Sequence, residues 1–142
     1  MSLTTSAPSA TLSPYDSILP YKRVQFQTYD STVLRGNLYH APNAPKRAPI
    51  VIFIHGAGLT KEQYLENWYR HFLQAGYHIL AYDNRSFGDS DGLPRNNFNW
   101  RQQAEDFIDA VTYARGLAEV DEDKVFGWGV AHAGGVIAMQ VS

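Results

Sequence analysis

The sequence predicts an α/β fold, a mostly parallel sheet with helices on its faces. Three observations predict it. From residue 49 onward, apolar strand-like runs alternate with amphipathic helix-like runs. The run 50–54 (Ile-Val-Ile-Phe-Ile) is apolar without a break, as a strand covered on both faces must be. Glycine-containing segments follow each such strand, where the chain has to leave a sheet and enter a helix.

Residues 1–20 are rich in Ser, Thr, Pro and Ala and hold no Arg, no basic stretch and no apolar core of a signal peptide, so they read as a flexible lead-in to a domain over 21–142. Residues 21–29 alternate, with Val24 and Phe26 on one face and Arg23, Gln25 and Gln27 on the other. Residues 33–40 alternate again, and Asp30-Ser31 between them predicts a tight antiparallel turn. Residues 41–48, with two prolines and Asn43, predict a loop before the buried strand 49–55. Leu65, Trp68, Tyr69, Phe72 and Leu73 then fall on one face of a helix. Thr60 and Gln63 have the form of its capping box, and Gly76 stands where its C-terminus needs a left-handed residue. A second buried strand over 77–82 runs into a polar segment, 83–97. The second helix, 100–115, carries an apolar stripe of Trp100, Ala104, Phe107, Ile108, Val111 and Ala114, and Gly116 closes it. Residues 120–123 read as an acidic connection, 124–129 as a short strand and 133–141 as a third helix. The order is β-β-β-α-β-α-β-α, with no internal repeat and no domain boundary.

Composition narrows the function. The chain has 142 residues, enough for one domain with a core. A net charge of −2 argues against nucleic acid and against an anionic membrane surface as partners. There is no cysteine, which excludes disulfides and thiolate metal sites, and no metal or cofactor is expected. The apolar runs are far too short to cross a bilayer, and a cytoplasmic location is expected.

Three segments carry chemistry. His55-Gly56-Ala57-Gly58 leaves the C-terminal end of the buried strand, where backbone N–H groups point into a crevice and can hold an oxyanion. Two other readings stay open there: a plain strand-to-helix turn, and a dinucleotide loop formed by Gly56-x-Gly58 with Asp83 ending the next strand. The third glycine of that fingerprint falls at Lys61, which costs it close helix packing. The segment 82–92 reads by itself as a solvated polar loop with an Asp–Arg pair. In 127–135, small residues crowd a strand-to-helix turn, which suits either a nucleophile elbow or a simple tight turn.

Together these segments resemble the first half of an α/β-hydrolase. His55-Gly56 is similar to that family's His-Gly oxyanion motif. The loop 83–92 is similar to its Asp-x-Arg-Gly-x-Gly-x-Ser-x-Gly segment, with Ser86 in place of the first glycine. Gly129 to Ala133 falls on its Gly-x-Ser-x-Gly elbow. More narrowly, Tyr82-Asp83-Asn84-Arg85, Ser90-Asp91-Gly92-Leu93-Pro94-Arg95, Asp106-x-x-Asp109-Ala110-x-Thr112-Tyr113-Ala114 and Glu119-Val120-Asp121 resemble fungal hydrolases of the polyketide-transferase and X-Pro-peptidase-like group. The resemblance implies an α/β-hydrolase-type sheet, incomplete, with only the N-terminal strands and helices. It implies hydrolysis or acyl transfer on an ester, thioester or amide, with a small carbonyl compound as substrate or ligand and with Ala57 and His132 donating backbone N–H groups to the oxyanion.

The chain departs from the family where the chemistry would start. The nucleophile position holds Ala131, which has no lone pair to attack a carbonyl. The closing position of the elbow holds Ala133 rather than glycine, which crowds the turn. In the family the acid and the base histidine follow later strands, so the chain is expected to be truncated and inactive as given. His55 shapes the loop, His132 is a neighbour of the nucleophile position, and His71 and His78 are read as surface or packing residues. The alternatives are a non-catalytic pseudo-hydrolase that binds a small molecule, and a dinucleotide-binding domain. The strand 124–129 is expected to leave an exposed apolar edge open to self-association.

Overall fold

A computed structural model describes residues 19–63 and 65–140; the lead-in expected over 1–20 lies almost entirely outside them. Five strands form one sheet: β1 (Lys22–Gln27), β2 (Val33–Tyr39), β3 (Ala48–Ile54), β4 (His78–Tyr82) and β5 (Val120–Gly129), in the spatial order β1-β2-β4-β3-β5. Three helices pack on it: α1 (Glu66–Gln74), α2 (Trp100–Arg115) and α3 (His132–Ala138). The sheet is mixed. β1 and β2 form the expected antiparallel pair, β2 joins β4 antiparallel, and β3 lies parallel to both β4 and β5.

The unbroken apolar run does what its composition predicts. Ile50, Ile52 and Ile54 join one core with Leu80, Phe107, Ala110 and Val136. The alternate residues Val51 and Phe53 join a second core with Leu65, Tyr69 and Leu73. Successive strand residues point to opposite faces, so a central strand must be apolar at every position to serve both layers. All five residues of β4 are buried for the same reason.

The helices correct parts of the sequence reading. α1 begins at Glu66, with Leu65 at its N-cap and no side-chain cap. The Thr60–Gln63 box forms half of its bonds, Thr60 N–H to Gln63 Oε1 at 3.0 Å, but it closes a separate turn one step earlier in the chain. Leu65, Tyr69 and Leu73 are buried as expected, whereas Trp68 is 51% exposed. At the other end Gly76 takes φ +93°. Its N–H bonds Leu73 O, and Tyr77 N–H bonds Phe72 O, while the Phe72 and Tyr77 rings pack 6.0 Å apart. This is the Schellman arrangement with its apolar contact.

In α2 the Asn99 side chain caps the start by accepting from Gln102 N–H. Its buried face is Gln103, Ala104, Asp106, Phe107, Ala110 and Ala114, rotated from the expected stripe. Trp100 and Ile108 are 43% and 49% exposed. The acidic stretch 120–123 belongs to β5: Val120 is buried opposite Ala48, the register slips, and pairing resumes at Val125 opposite Ile50. β5 pairs with β3 alone among the described residues, which leaves its other edge open. No helix among the described residues is long and apolar enough to cross a membrane.

Candidate functional site

The C-terminal ends of the parallel strands β3, β4 and β5 bring three loops together. His55, at the end of β3, is 1% exposed. Its Nδ1 donates to Gly56 O at 2.9 Å and its Nε2 accepts the Asn84 N–H at 2.9 Å, which requires a neutral ring protonated on Nδ1. Burial holds its pKa below the ordinary value. Asn84 Nδ2 also donates to His55 O at 3.3 Å, so the ring staples the 55–58 turn to the loop that follows β4.

The loop after β4 is largely buried. Asp83 is 0% exposed and accepts Lys61 N–H at 2.8 Å, Lys61 Nζ at 2.7 Å and Asp89 N–H at 2.9 Å. Lys61 Nζ also reaches Asp89 Oδ2 at 2.8 Å; burial works against its charge, but the two carboxylates outweigh it and push its pKa up. The Asp83 oxygens are thus engaged by Lys61 and Asp89 within the fold. Gly88 has φ +50°, and a Cβ there would lie 2.3 Å from Asp83 Oδ2. Ser86 holds φ +68°, where the resembled motif has glycine. Its hydroxyl donates to Asn97 O and accepts Asn97 N–H, both at 3.0 Å, which offsets part of the backbone strain. Arg85 forks onto Asp106 of α2 at 3.0 and 2.7 Å and onto Asp30 of the β1–β2 turn at 2.5 and 3.0 Å.

The third loop is the turn from β5 into α3. Ala131, its exposed apex and the N-cap of α3, has φ +56° and ψ −130°, a conformation that L-residues rarely hold. Ala133 N–H bonds Val130 O and Gly134 N–H bonds Ala131 O, each at 3.2 Å. The crowding expected at Ala133 is resolved at Gly129. Ala133 is fully buried, and a Cβ on Gly129 would stand 2.6 Å from the Ala133 carbonyl carbon.

His132, the first residue of α3, joins this turn to the 55–58 loop. Its Nδ1 accepts Ala57 N–H at 3.1 Å, and its Nε2 meets Gln103 Oε1 of α2 at 3.1 Å. The ring therefore carries its proton on Nε2, and burial lowers its pKa. Phe98 packs edge-on with it at 4.5 Å between centroids. The structure thus gathers His55, Gly56, Ala57, Gly129, Ala131, His132 and Ala133 at one end of the sheet. His71, by contrast, sits on α1, and His78, at the start of β4, accepts Ala41 N–H at 2.9 Å far from this turn. Among the described residues no three His, Asp or Glu side chains gather as a metal site would need. Gln103 and Phe98 escaped the sequence reading, and Asn84 was read only as part of the loop segment, without its contact to His55. The one available signal was a glutamine placed beside Ala104 on a helix, and only the packing shows that it is buried.

Comparison with known proteins agrees with this layout. A model of the "Alpha/beta hydrolase family" matches residues 51–142. The chain is 36% identical over 120 residues to the acyltransferase drtE of Aspergillus calidoustus, covering 84% of this chain and 38% of that protein. It is 36% identical over 118 residues to a thiohydrolase of Eupenicillium brefeldianum, covering 83% and 37%. It superimposes on the crystal structure of the α/β hydrolase GrgF from Penicillium sp. sh18 with a TM-score of 0.77 at 38% identity, covering 83% of this chain and 40% of that one. The chain thus spans about two fifths of the length of these relatives. A strained strand-to-helix turn, a His-Gly loop beside it and a family match that covers both lead to one assignment: this chain belongs to the α/β-hydrolase family.

Proposed function

We propose that this chain presents the acyl-binding face of an α/β-hydrolase site and binds a small carbonyl compound without turning it over. The observation that carries the reading is Ala131. It occupies the strained apex between β5 and α3, next to the Ala57 loop, where a serine would be aimed at a carbonyl carbon. The family chemistry is hydrolysis or acyl transfer on an ester, thioester or amide, and the named activities of the acyltransferase and thiohydrolase relatives support that class of ligand. A methyl group offers no electron pair, so no acyl-enzyme forms at residue 131. The backbone N–H groups of Ala57 and His132 are the donors proposed for the carbonyl oxygen. The test is 4-nitrophenyl acetate with the purified chain: release of nitrophenol should not exceed the buffer rate. Saturable turnover would reveal another nucleophile and overturn the reading.

A second proposal concerns partners. The open edge of β5 is flanked on both sheet faces by apolar clefts of about 380 and 420 Å³, and Phe126 and Gly127 line both. An edge with unpaired backbone groups and apolar shoulders favours pairing with another strand, here a second copy of the chain.

A further inference from the structure

We infer that the His132 imidazole is a built-in occupant of the Ala57 amide, holding the candidate oxyanion donor closed until a ligand oxygen displaces it. The inference rests on the reading of Ala57 as an oxyanion donor. Ala57 is exposed at the loop tip, yet its N–H is directed at His132 Nδ1, 3.1 Å away. A neutral imidazole nitrogen presents one in-plane lone pair, so it stands where the oxygen of a bound carbonyl would accept the same hydrogen.

The arrangement is set from the far side of the ring. Gln103 is 2% exposed on α2, and its Oε1 can only accept, so it requires the proton on Nε2 and leaves Nδ1 as the acceptor. Phe98 holds the ring plane from a third direction. Three elements (the 98–99 connection, α2 and α3) therefore converge on one side chain and aim its lone pair at one amide. Among the described residues, His55 is the ionisable side chain that couples to this ring, and it is held neutral by burial, with its Nε2 already accepting the Asn84 N–H. His132 is half-buried, so it has solvent on one side into which it can swing. A ligand must then compete with an internal acceptor, and it gains most where its oxygen accepts more strongly than neutral imidazole. Carboxylates and developing oxyanions are favoured in that competition over neutral ester, thioester and amide carbonyls, which bind more weakly. His132 on this view is a specificity-determining residue that touches the donor directly.

The experiment follows the Ala57 amide of the ¹⁵N-labelled chain by NMR, with butyrate as the probe, in the unmodified chain, His132→Ala and His132→Asn. Asparagine places Oδ1 where His132 has Nδ1, so it should preserve the contact. Expected are slow hydrogen exchange of the Ala57 amide in the unmodified chain and His132→Asn, fast exchange in His132→Ala, and butyrate binding about fivefold to tenfold tighter in His132→Ala, the worth of one neutral hydrogen bond. Equal butyrate affinity in all three chains, with the Ala57 amide responding in each, would overturn the inference and leave the oxyanion reading standing. No response of the Ala57 amide in any chain, His132→Ala included, would overturn the oxyanion reading itself. Rapid Ala57 exchange in the unmodified chain would overturn the inference whatever the butyrate result.

Discussion

At the scale of single residues, the turn from β5 to α3 stores strain that substitution should release or increase. Ala131 holds φ +56° with a Cβ attached, which costs on the order of 1–3 kcal/mol relative to relaxed backbone. Glycine removes that strain but adds freedom to the unfolded chain, so Ala131→Gly should stabilise by about 1 kcal/mol or less, read from urea unfolding. Gly129→Ala should do the reverse. Its new Cβ would meet three backbone atoms, the nearest at 2.6 Å, and none is the end of a flexible side chain. A loss of about 1–3 kcal/mol is expected, and unchanged stability would mean that the elbow is looser than drawn. The histidines give a pH signature. His55, His78 and His132 all have pKa values lowered from the ordinary 6.5, each chiefly by burial. The unfolded chain then takes up protons that the folded chain refuses. Stability is complete above about pH 6.5 and falls as the pH drops through that value toward the lower folded values. The urea midpoint should therefore be lower at pH 5.5 than at pH 7.5; a flat profile would mean that the rings are charged in the folded protein. The strand-to-helix turn at 129–133 was legible because small residues crowd it, while reading it as an elbow came from the family resemblance and not from the residues alone. The contacts of Gln103 and Asn84 were not legible, since a neutral amide in a sequence gives no sign of which buried donor or acceptor it satisfies.

Among the elements, the strands were read more accurately than the helices, and the reason is geometric. A strand's period of two leaves no choice about which residues share a face, so the double-sided burial of Ile50 to Ile54 followed from composition alone. A helix stripe can rotate by one residue and remain plausible. In α2 it rotates to take in Asp106, because Arg85 supplies a partner from another loop that local periodicity cannot see. The acidic stretch 120–123 was misread for a similar reason: only the slip in register lets a strand carry three consecutive acids past its neighbour. Arg85 is what makes the rotated face affordable in structural terms. It ties α2, the loop after β4 and the β1–β2 turn together, and the Asp106 carboxylate beneath it has 0% side-chain exposure. Arg85→Ala strands that buried charge and should destabilise by about 3–5 kcal/mol. Arg85→Lys keeps the charge but loses the two-pronged contact, and should fall between the two. Thermal unfolding of the three proteins tests the order; equal melting temperatures for Arg85→Ala and the unmodified chain would show that Asp106 is solvated.

For the molecule as a whole, the distribution of exposed apolar surface sets the orientation of the pairing proposed for the β5 edge. Phe126 is 50% exposed on β5, and Trp128 lies two residues on, so both side chains emerge on the same sheet face. That face already carries a row of rings, with Trp128 stacked on Phe53 at 4.7 Å and Phe126 edge-on to Tyr77 at 6.0 Å. Two orientations are open to a second copy. In a parallel in-register pair, Asp121, Glu122 and Asp123 of one copy would lie against the same three acids of the other, and like charges directly opposite are destabilising. In an antiparallel pair about a two-fold axis at Gly127, the acids move to opposite ends, and Phe126 of each copy lies opposite Trp128 of the other. Charge and aromatic pairing both favour the antiparallel form. Gly127 at the axis lets the backbones meet, and on the opposite face Phe107 and Ile137 already fill the space a side chain there would need. A lysine on an edge strand is a natural block to such pairing, because its charge cannot be buried against a neighbouring strand. Phe126→Lys should therefore lower the association state seen by sedimentation velocity while leaving the far-ultraviolet circular dichroism unchanged, since the Phe126 ring is half in solvent before the substitution. Lys124 already stands on this edge, away from the axis and beside the acids, and is the matched contrast: Lys124→Ala should not lower association. Equal sedimentation of the unmodified chain and Phe126→Lys as monomers would mean that the twist and charges of β5 already suffice to keep its edge from pairing.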